Sequence, residues 1–375
     1  MIICILGTRA QLIKMAPVIS ELERRNYKLS LIFTGQHRES MDELLNDFRI
    51  SSLQRYLYQG REITGTFQMA KWFLACLWKA IRYTDEYFPM PSDQRNIILI
   101  HGDTLSTLLG AIIGKLARTQ VAHVESGLRS FNLLNPFPEE VTRLLTFRLS
   151  NIAFCPGTWA YENMKNYKLL RINTQQNTIV DTLKYALQAK NEYTDITQER
   201  DYGVFSIHRF ENIFVKRRLR TIVNLLEKAA TYYPITFVLH PATKIRLERL
   251  GLLARLEQNR AINLMPRMGY IRFIRLISKA RFVVTDGGSN QEELSYLGIP
   301  TLLMRRVTER QEGLNSTVAL CNYNEGLLID FINNLDKFAR ARVLDVDASP
   351  SQTIVNHLKN FGINSSQAKL TEKSE

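Results

Sequence analysis

Along this chain, short runs of consecutive apolar residues alternate with longer stretches in which apolar side chains return every three or four positions. A continuous apolar run marks a strand buried on both faces, and a return near 3.6 residues marks a helix with one buried side. Residues 1–6 and 29–34 read as strands, and between them 12–25 reads as a helix that aligns Leu12, Met15, Ile19 and Leu22. Strands at 97–100 and 121–124 flank a helix at 107–118, and 72–81, interrupted by Lys79, reads as an amphipathic helix. The pattern restarts past residue 170, with strands at 202–207, 235–239, 261–264, 282–285 and 301–304. Helices at 219–232, 244–258, 270–278 and 290–296 lie between them. Repeated β-α-β of this kind predicts parallel sheets covered on both faces. The expected fold is α/β, with two Rossmann-like doubly wound domains facing each other across a cleft. The expected division is 1–170, 171–363 and a polar, disordered tail at 364–375.

Composition changes this picture little. The chain has 375 residues, enough for two domains, and 45% are hydrophobic. Cys4, Cys76, Cys155 and Cys321 are far apart with no CxxC pair, so unpaired thiols are expected, with no disulfide framework and no metal site. No basic leader precedes the first apolar run and no apolar stretch reaches bilayer length, so a cytoplasmic protein without a membrane span is expected. The net charge of +13 favours polyanionic partners. It is spread in small clusters, and no zinc-finger, RNP-like or basic-arm module accompanies it. Nucleic acid is therefore not the expected partner, whereas nucleotide phosphate is compatible with the charge.

In open α/β sheets ligands bind beyond the carboxyl ends of the strands, and that is where the candidate chemistry falls. Gly7-Thr8-Arg9 follows the first strand, with Lys14 one turn into the helix. This turn is neither a P-loop nor a GxGxxG fingerprint. His101-Gly102-Asp103-Thr104 ends another strand, and Asp103 reads either as an acid–base group or as a helix cap. Glu125, in His123 to Arg129, sits between a strand and a glycine, where packing explains a carboxylate poorly. Glu139 and Glu140 follow two prolines at a helix start, where the helix dipole accounts for one acidic residue better than for two. In the second half, His208-Arg209 ends a strand. Asp286-Gly287-Gly288-Ser289 then forms an anion turn into a helix that carries Glu293, and Arg305 ends the next strand.

Taken in order, these stretches resemble the non-hydrolysing UDP-N-acetylglucosamine 2-epimerases, which have the two-domain GT-B fold. The matching segments run from Gly7-Thr8-Arg9 with Lys14, through Thr34-Gly35-Gln36-His37, His101 to Thr104, His123 to Arg129 and Pro138-Glu139-Glu140. They continue with His208-Arg209, His240-Pro241, Gln291-Glu292-Glu293 and Thr308-Glu309-Arg310. Asp103 and Glu125 are 22 residues apart, as in the family.

The resemblance implies epimerisation at C2 of a UDP-N-acetylhexosamine by anti-elimination of UDP and its re-addition, with no cofactor and no metal. By similarity, Asp103, Glu125 and Glu139 are the acid–base carboxylates and His208 completes the catalytic set. Arg9, Lys14, Gly288, Ser289 and Arg305 would bind the diphosphate and sugar, and Glu293 the ribose. Gln36, His37, Arg209 and His240 match a second UDP-sugar site that activates family members. A homodimer and a role in supplying surface polysaccharide are further implications. Two loops depart from the family: Ala10-Gln11 stands where Pro-Glu is usual, and Asp286-Gly287-Gly288-Ser289 where Asp-Ser-Gly-Gly is usual. These leave open a variant sugar, such as a 2,3-diacetamido or uronic acid hexosamine. They also leave open two neighbouring activities, a GT-B glycosyltransferase and a hydrolysing 2-epimerase.

Overall fold

The computed structural model describes residues 1–35, 41–60, 66–88, 96–133, 137–189, 201–308, 310–344 and 349–359. The chain folds as two compact units, 1–182 with the C-terminal segment, and 183–346.

The first unit is built on a seven-stranded sheet. Its strands are β1 (Ile2–Leu6), β2 (Leu29–Phe33), β3 (Leu53–Tyr56), β4 (Ile97–His101), β5 (Gln120–Val124), β6 (Ile152–Cys155) and β7 (Leu170–Asn173). The order is β3-β2-β1-β4-β5-β6-β7 and every pairing is parallel. β1 and β4 are buried at every position, as their unbroken apolar sequences predict. Helix Arg9–Arg24 starts at a capping box in which Thr8 and Gln11 each satisfy an N–H of the other. Helix Leu105–Leu116 starts at a second box, formed by Thr104 and Thr107. Helix Thr66–Arg82 buries Trp72, Cys76 and Ala80 on one side, the amphipathic pattern seen in its sequence.

The second unit repeats the plan with six strands: β8 (Gly203–Ser206), β9 (Ile235–Leu239), β10 (Ile262–Pro266), β11 (Phe282–Thr285), β12 (Thr301–Leu303) and β13 (Val318–Leu320). Their order, β10-β9-β8-β11-β12-β13, is again wholly parallel. Each sheet thus reverses its winding direction once, between β1 and β4 in the first unit and between β8 and β11 in the second. Such switch points open a crevice at the strand ends.

Three features differ from the sequence-based expectation. The first sheet runs on through β7, and the division falls at 182/183 rather than 170/171. Helix Pro350–Leu358 returns to the first unit and packs on helix Arg9–Arg24. Asp181 anchors it there by accepting from Ser349 Oγ and Ser351 N, both at 2.8 Å. The single helix expected at 244–258 is two, Pro241–Arg249 and Leu252–Glu257, because Gly251 takes a left-handed conformation with φ 67° between them. The expected tail at 364–375 lies outside the described residues.

Candidate active site

At the first switch point, the loop after β1 and the loop after β4 lie side by side. Gly7 lies so close to Ser106 that a Cβ on it would collide with the Ser106 hydroxyl. Beyond these loops the charged groups interlock. Lys14 Nζ donates to Glu125 Oε1 at 2.7 Å, and His101 Nε2 lies 2.8 Å from Glu125 Oε2. All three side chains are at most 10% exposed. Burial pushes the Glu125 carboxyl up, but the Lys14 ammonium and the His101 ring outweigh it and hold the group well below the usual carboxylate range. Glu125 also sits at φ 62°, a left-handed backbone that a non-glycine residue adopts at some cost and that often marks a functional position.

Asp103 does not cap the following helix, because Thr104 fills that position. Its carboxylate instead takes Arg143, with Nε at 3.0 Å from Oδ2. Arg143 reaches on to Glu140 Oε2 at 3.2 Å. Glu140 is fully buried and also accepts from Arg129 and from Ser130 N–H. The acidic pair at the start of helix Glu139–Leu149 therefore divides its roles. Glu140 ties the 129–130 segment to Arg143. Glu139 keeps a buried Oε2 that finds no hydrogen-bond partner among the described residues. His123 Nε2 donates to the Gly102 carbonyl at 2.7 Å, and burial pushes this imidazole down to about 4, so the ring is neutral. Arg9 stands at the rim, 3.3 Å from Glu43.

At the second switch point, one buried carboxylate organises the loops. Asp286, fully buried, accepts from His208 N, Arg209 N and Asn212 Nδ2 at 2.8–3.2 Å, and His208 Nδ1 lies 3.3 Å away. His240 stacks on His208 with ring centroids 4.6 Å apart. Helix Gly288–Leu297 begins at the Gly287-Gly288 turn. A Cβ on Gly288 would lie 3.1 Å from Arg310 Nε and 3.5 Å from Arg305 Nη2, so two guanidinium groups border this N-terminus. Arg305 is buried and fixed by donation from Nε to the Asp286 carbonyl at 2.8 Å. Ser289 is exposed and Glu293 buried. Arg209 pairs with Glu211 at 2.6 Å. Free helix N–H groups beside fixed cations make an anion-binding arrangement.

The structure thus brings Lys14 and Glu125 together with His101, and Asp103 together with Arg143 and through it Glu140; His101 and Glu140 stand in the sequence motifs without a role, and Arg143 has none assigned there. It gathers His208, Gly288 and Arg305 with Asp286 and Arg310. Gln36 and His37 lie outside the described residues, as does Glu309. The four cysteines are free and buried. Among the described residues no helix is long and apolar enough to cross a membrane.

Two wholly parallel, doubly wound sheets with polar clusters at both switch points define an α/β enzyme of the GT-B type. A family model described as UDP-N-acetylglucosamine 2-epimerase matches residues 20–359. A UDP-N-acetylglucosamine 2-epimerase of Methanocaldococcus jannaschii is 33% identical over 82% of this chain and 84% of its own length. A UDP-2,3-diacetamido-2,3-dideoxy-D-glucuronate 2-epimerase of Pseudomonas aeruginosa is 32% identical over 82% and 84%. The crystal structure of a Neisseria meningitidis UDP-GlcNAc 2-epimerase bound to UDP-GlcNAc superimposes with a TM-score of 0.75, at 26% identity, covering 96% of this chain and 99% of that one. The chain belongs to the UDP-N-acetylglucosamine 2-epimerase family of isomerases.

Proposed function

We propose that the protein inverts C2 of a UDP-N-acetylhexosamine, interconverting the gluco and manno forms of UDP-N-acetylhexosamine without net release of UDP. The C2–H bond is not acidic, so its proton leaves only as the anomeric C1–O bond breaks and UDP departs. The electron pair from C2–H becomes the C1–C2 double bond of an enzyme-held glycal. UDP then adds back at C1 while a proton reaches the opposite face of C2. Carboxylates must stand ready as base and acid, and cations must take up the charge that develops on the diphosphate.

The observation that carries this reading is the buried Lys14–Glu125–His101 cluster beside the Asp103–Arg143 pair. Glu125, held ionised, and Asp103 are suited to proton transfer at C2. Glu139, whose buried oxygen has no partner among the described residues, is suited to the opposite face. In the second unit His208, Arg305 and the Gly287-Gly288 turn are suited to the diphosphate, Ser289 to the sugar phosphate and Glu293 to the ribose. In the first unit, Arg9 and Lys14 are the cations suited to a phosphate. The stacking of His240 on His208 supports a further reading, that a second UDP-sugar held by Arg209 and His240 adjusts His208. The product would serve as an activated sugar for surface polysaccharide.

Phosphorus NMR and chromatography of products from UDP-GlcNAc test the proposal. Formation of UDP-ManNAc with the diphosphate ester retained is expected, and accumulation of free UDP and free sugar would instead show a hydrolysing enzyme. Because a relative acts on UDP-2,3-diacetamido-2,3-dideoxy-D-glucuronate, that nucleotide sugar belongs in the same assay.

A further inference from the structure

Helix Glu139–Leu149 carries Glu139 and, four residues on, Arg143 on the same face. An acidic and a basic residue at that spacing ordinarily pair with each other. Here Arg143 turns elsewhere with all three of its nitrogens. Nε, at 3.0 Å, and Nη2 both donate to Asp103 Oδ2, and Nη1 donates to Glu140 Oε2 at 3.2 Å. Glu139 Oε2 is left without a partner among the described residues. Glu140 is fixed in its turn: it is fully buried and also accepts from Arg129 and from the Ser130 N–H at 3.0 Å. The guanidinium is therefore held from behind and aimed at Asp103. A fork of this kind usually takes both oxygens of a carboxylate. Here both bonds end on Oδ2, and among the described residues no donor meets Oδ1. The Asp103 side chain is 31% exposed, so Oδ1 is the oxygen left for a ligand. The helix also packs on helix Leu105–Leu116, which begins two residues after Asp103.

We propose that Arg143 is a positioning residue for the C2 chemistry: its fork holds one oxygen of Asp103 so that the other meets the sugar, and because Arg143 and Glu139 share a helix, one rigid element sets both carboxylates. This rests on the function proposed above. Arg143→Ala and Arg143→Lys, made in the full chain, test it by steady-state epimerisation of UDP-GlcNAc, UDP affinity by calorimetry, and Tm. Glu140 keeps Arg129 and the Ser130 N–H in both variants, so its buried charge is not stranded. Arg143→Ala should lower kcat about a hundredfold, the cost of a misplaced reacting group, while UDP affinity stays within about twofold. Arg143→Lys should recover only a small part of that loss, since an ammonium cannot grip one oxygen with two fixed donors. Millimolar guanidinium chloride, compared with sodium chloride at equal ionic strength, should raise kcat of Arg143→Ala several-fold, leave its Tm unchanged and leave Arg143→Lys unaffected. An arginine that only braced the fold would instead give a kcat that follows Tm.

A kcat for Arg143→Ala within about threefold of wild type would overturn the assignment, being far short of the cost of a misplaced group. So would a loss that guanidinium does not restore, or an Arg143→Lys enzyme as active as wild type. If the wild type epimerises no nucleotide sugar, the functional reading fails on its own. The crystal structure of Arg143→Ala then decides the positioning: an Asp103 carboxylate turned from its wild-type direction supports it, and an unmoved one refutes it.

Discussion

The two switch points share a topology and differ in how they use buried charge. In the first unit the carboxylates of Asp103, Glu125 and Glu140 are each met by cationic side chains, and Glu139 keeps an oxygen without a partner among the described residues. In the second, Asp286 is occupied by backbone and amide donors and holds loops in place, while two arginines border the glycine turn beside it, one of which, Arg310, also pairs with the buried Glu292 at 2.7 Å. A carboxylate that keeps a lone pair towards a ligand can exchange protons. One that is saturated by loop N–H groups can only hold shape. The comparison teaches that corresponding strand ends of two like sheets can surround their carboxylates differently, mainly with cationic side chains in one and with backbone and amide donors in the other.

The comparison is broken most directly at Glu125. Glu125→Gln keeps the shape but removes the charge that Lys14 and His101 surround. A fall in kcat of about 10²–10⁴-fold is expected from steady-state kinetics, the range for loss of an acid–base group. An unchanged kcat would remove Glu125 from the chemistry. Asp286→Ala probes the opposite role. It strands the His208 and Arg209 N–H groups, while the Asn212 amide keeps the Met304 carbonyl, so unfolding in urea should show a loss of about 2–6 kcal/mol, at about 1–3 for each buried donor left without a partner. A variant of wild-type stability would show that the loops hold without it.

Arg305→Ala should weaken UDP binding by about tenfold or more in calorimetry, the scale of a lost hydrogen bond to a charged group. A loss confined to kcat, with UDP affinity intact, would place Arg305 with the proton chemistry instead. The smallest effect concerns His123. Its folded value of about 4 lies below the ordinary histidine value of about 6.5, so between these the unfolded chain binds more protons than the folded one. Stability from this group is complete above about pH 6.5 and declines as the pH falls towards 4, by up to about 1.4 kcal/mol per unit. His123→Gln, which retains a donor for the Gly102 carbonyl, should flatten that slope in melts taken across the window. A slope that persists would assign it to other groups.

Much of this fold was legible because buried parallel strands are written as plain apolar runs. β1, β2, β4, β5, β8, β9, β11 and β12 all appear where the sequence predicts them, within a residue or two. β3 and β7 escaped because edge strands are half exposed: Leu53, Gln54 and Leu170 face solvent and break the run. β13 is only three residues long. The return of helix Pro350–Leu358 to the first unit rests on contacts that span nearly the whole chain, such as Arg25 to Asn356 at 2.6 Å, and no local pattern encodes them. Site residues were legible by position, since they follow strands, but their partners were not. Arg143 meets Asp103 across 40 residues, and Gln11 meets His101 across 90. The capping reading of Asp103 fell only when Thr104 proved to be the cap.

The central claim is that this protein removes and restores the proton at C2. Proton NMR of UDP-GlcNAc incubated with the enzyme in D2O tests it most directly. The account predicts loss of the C2 proton signal through deuterium uptake, with the manno epimer appearing and UDP still attached. Epimerisation with the C2 proton retained, or a C2 signal that persists at full intensity over long incubation, would contradict it.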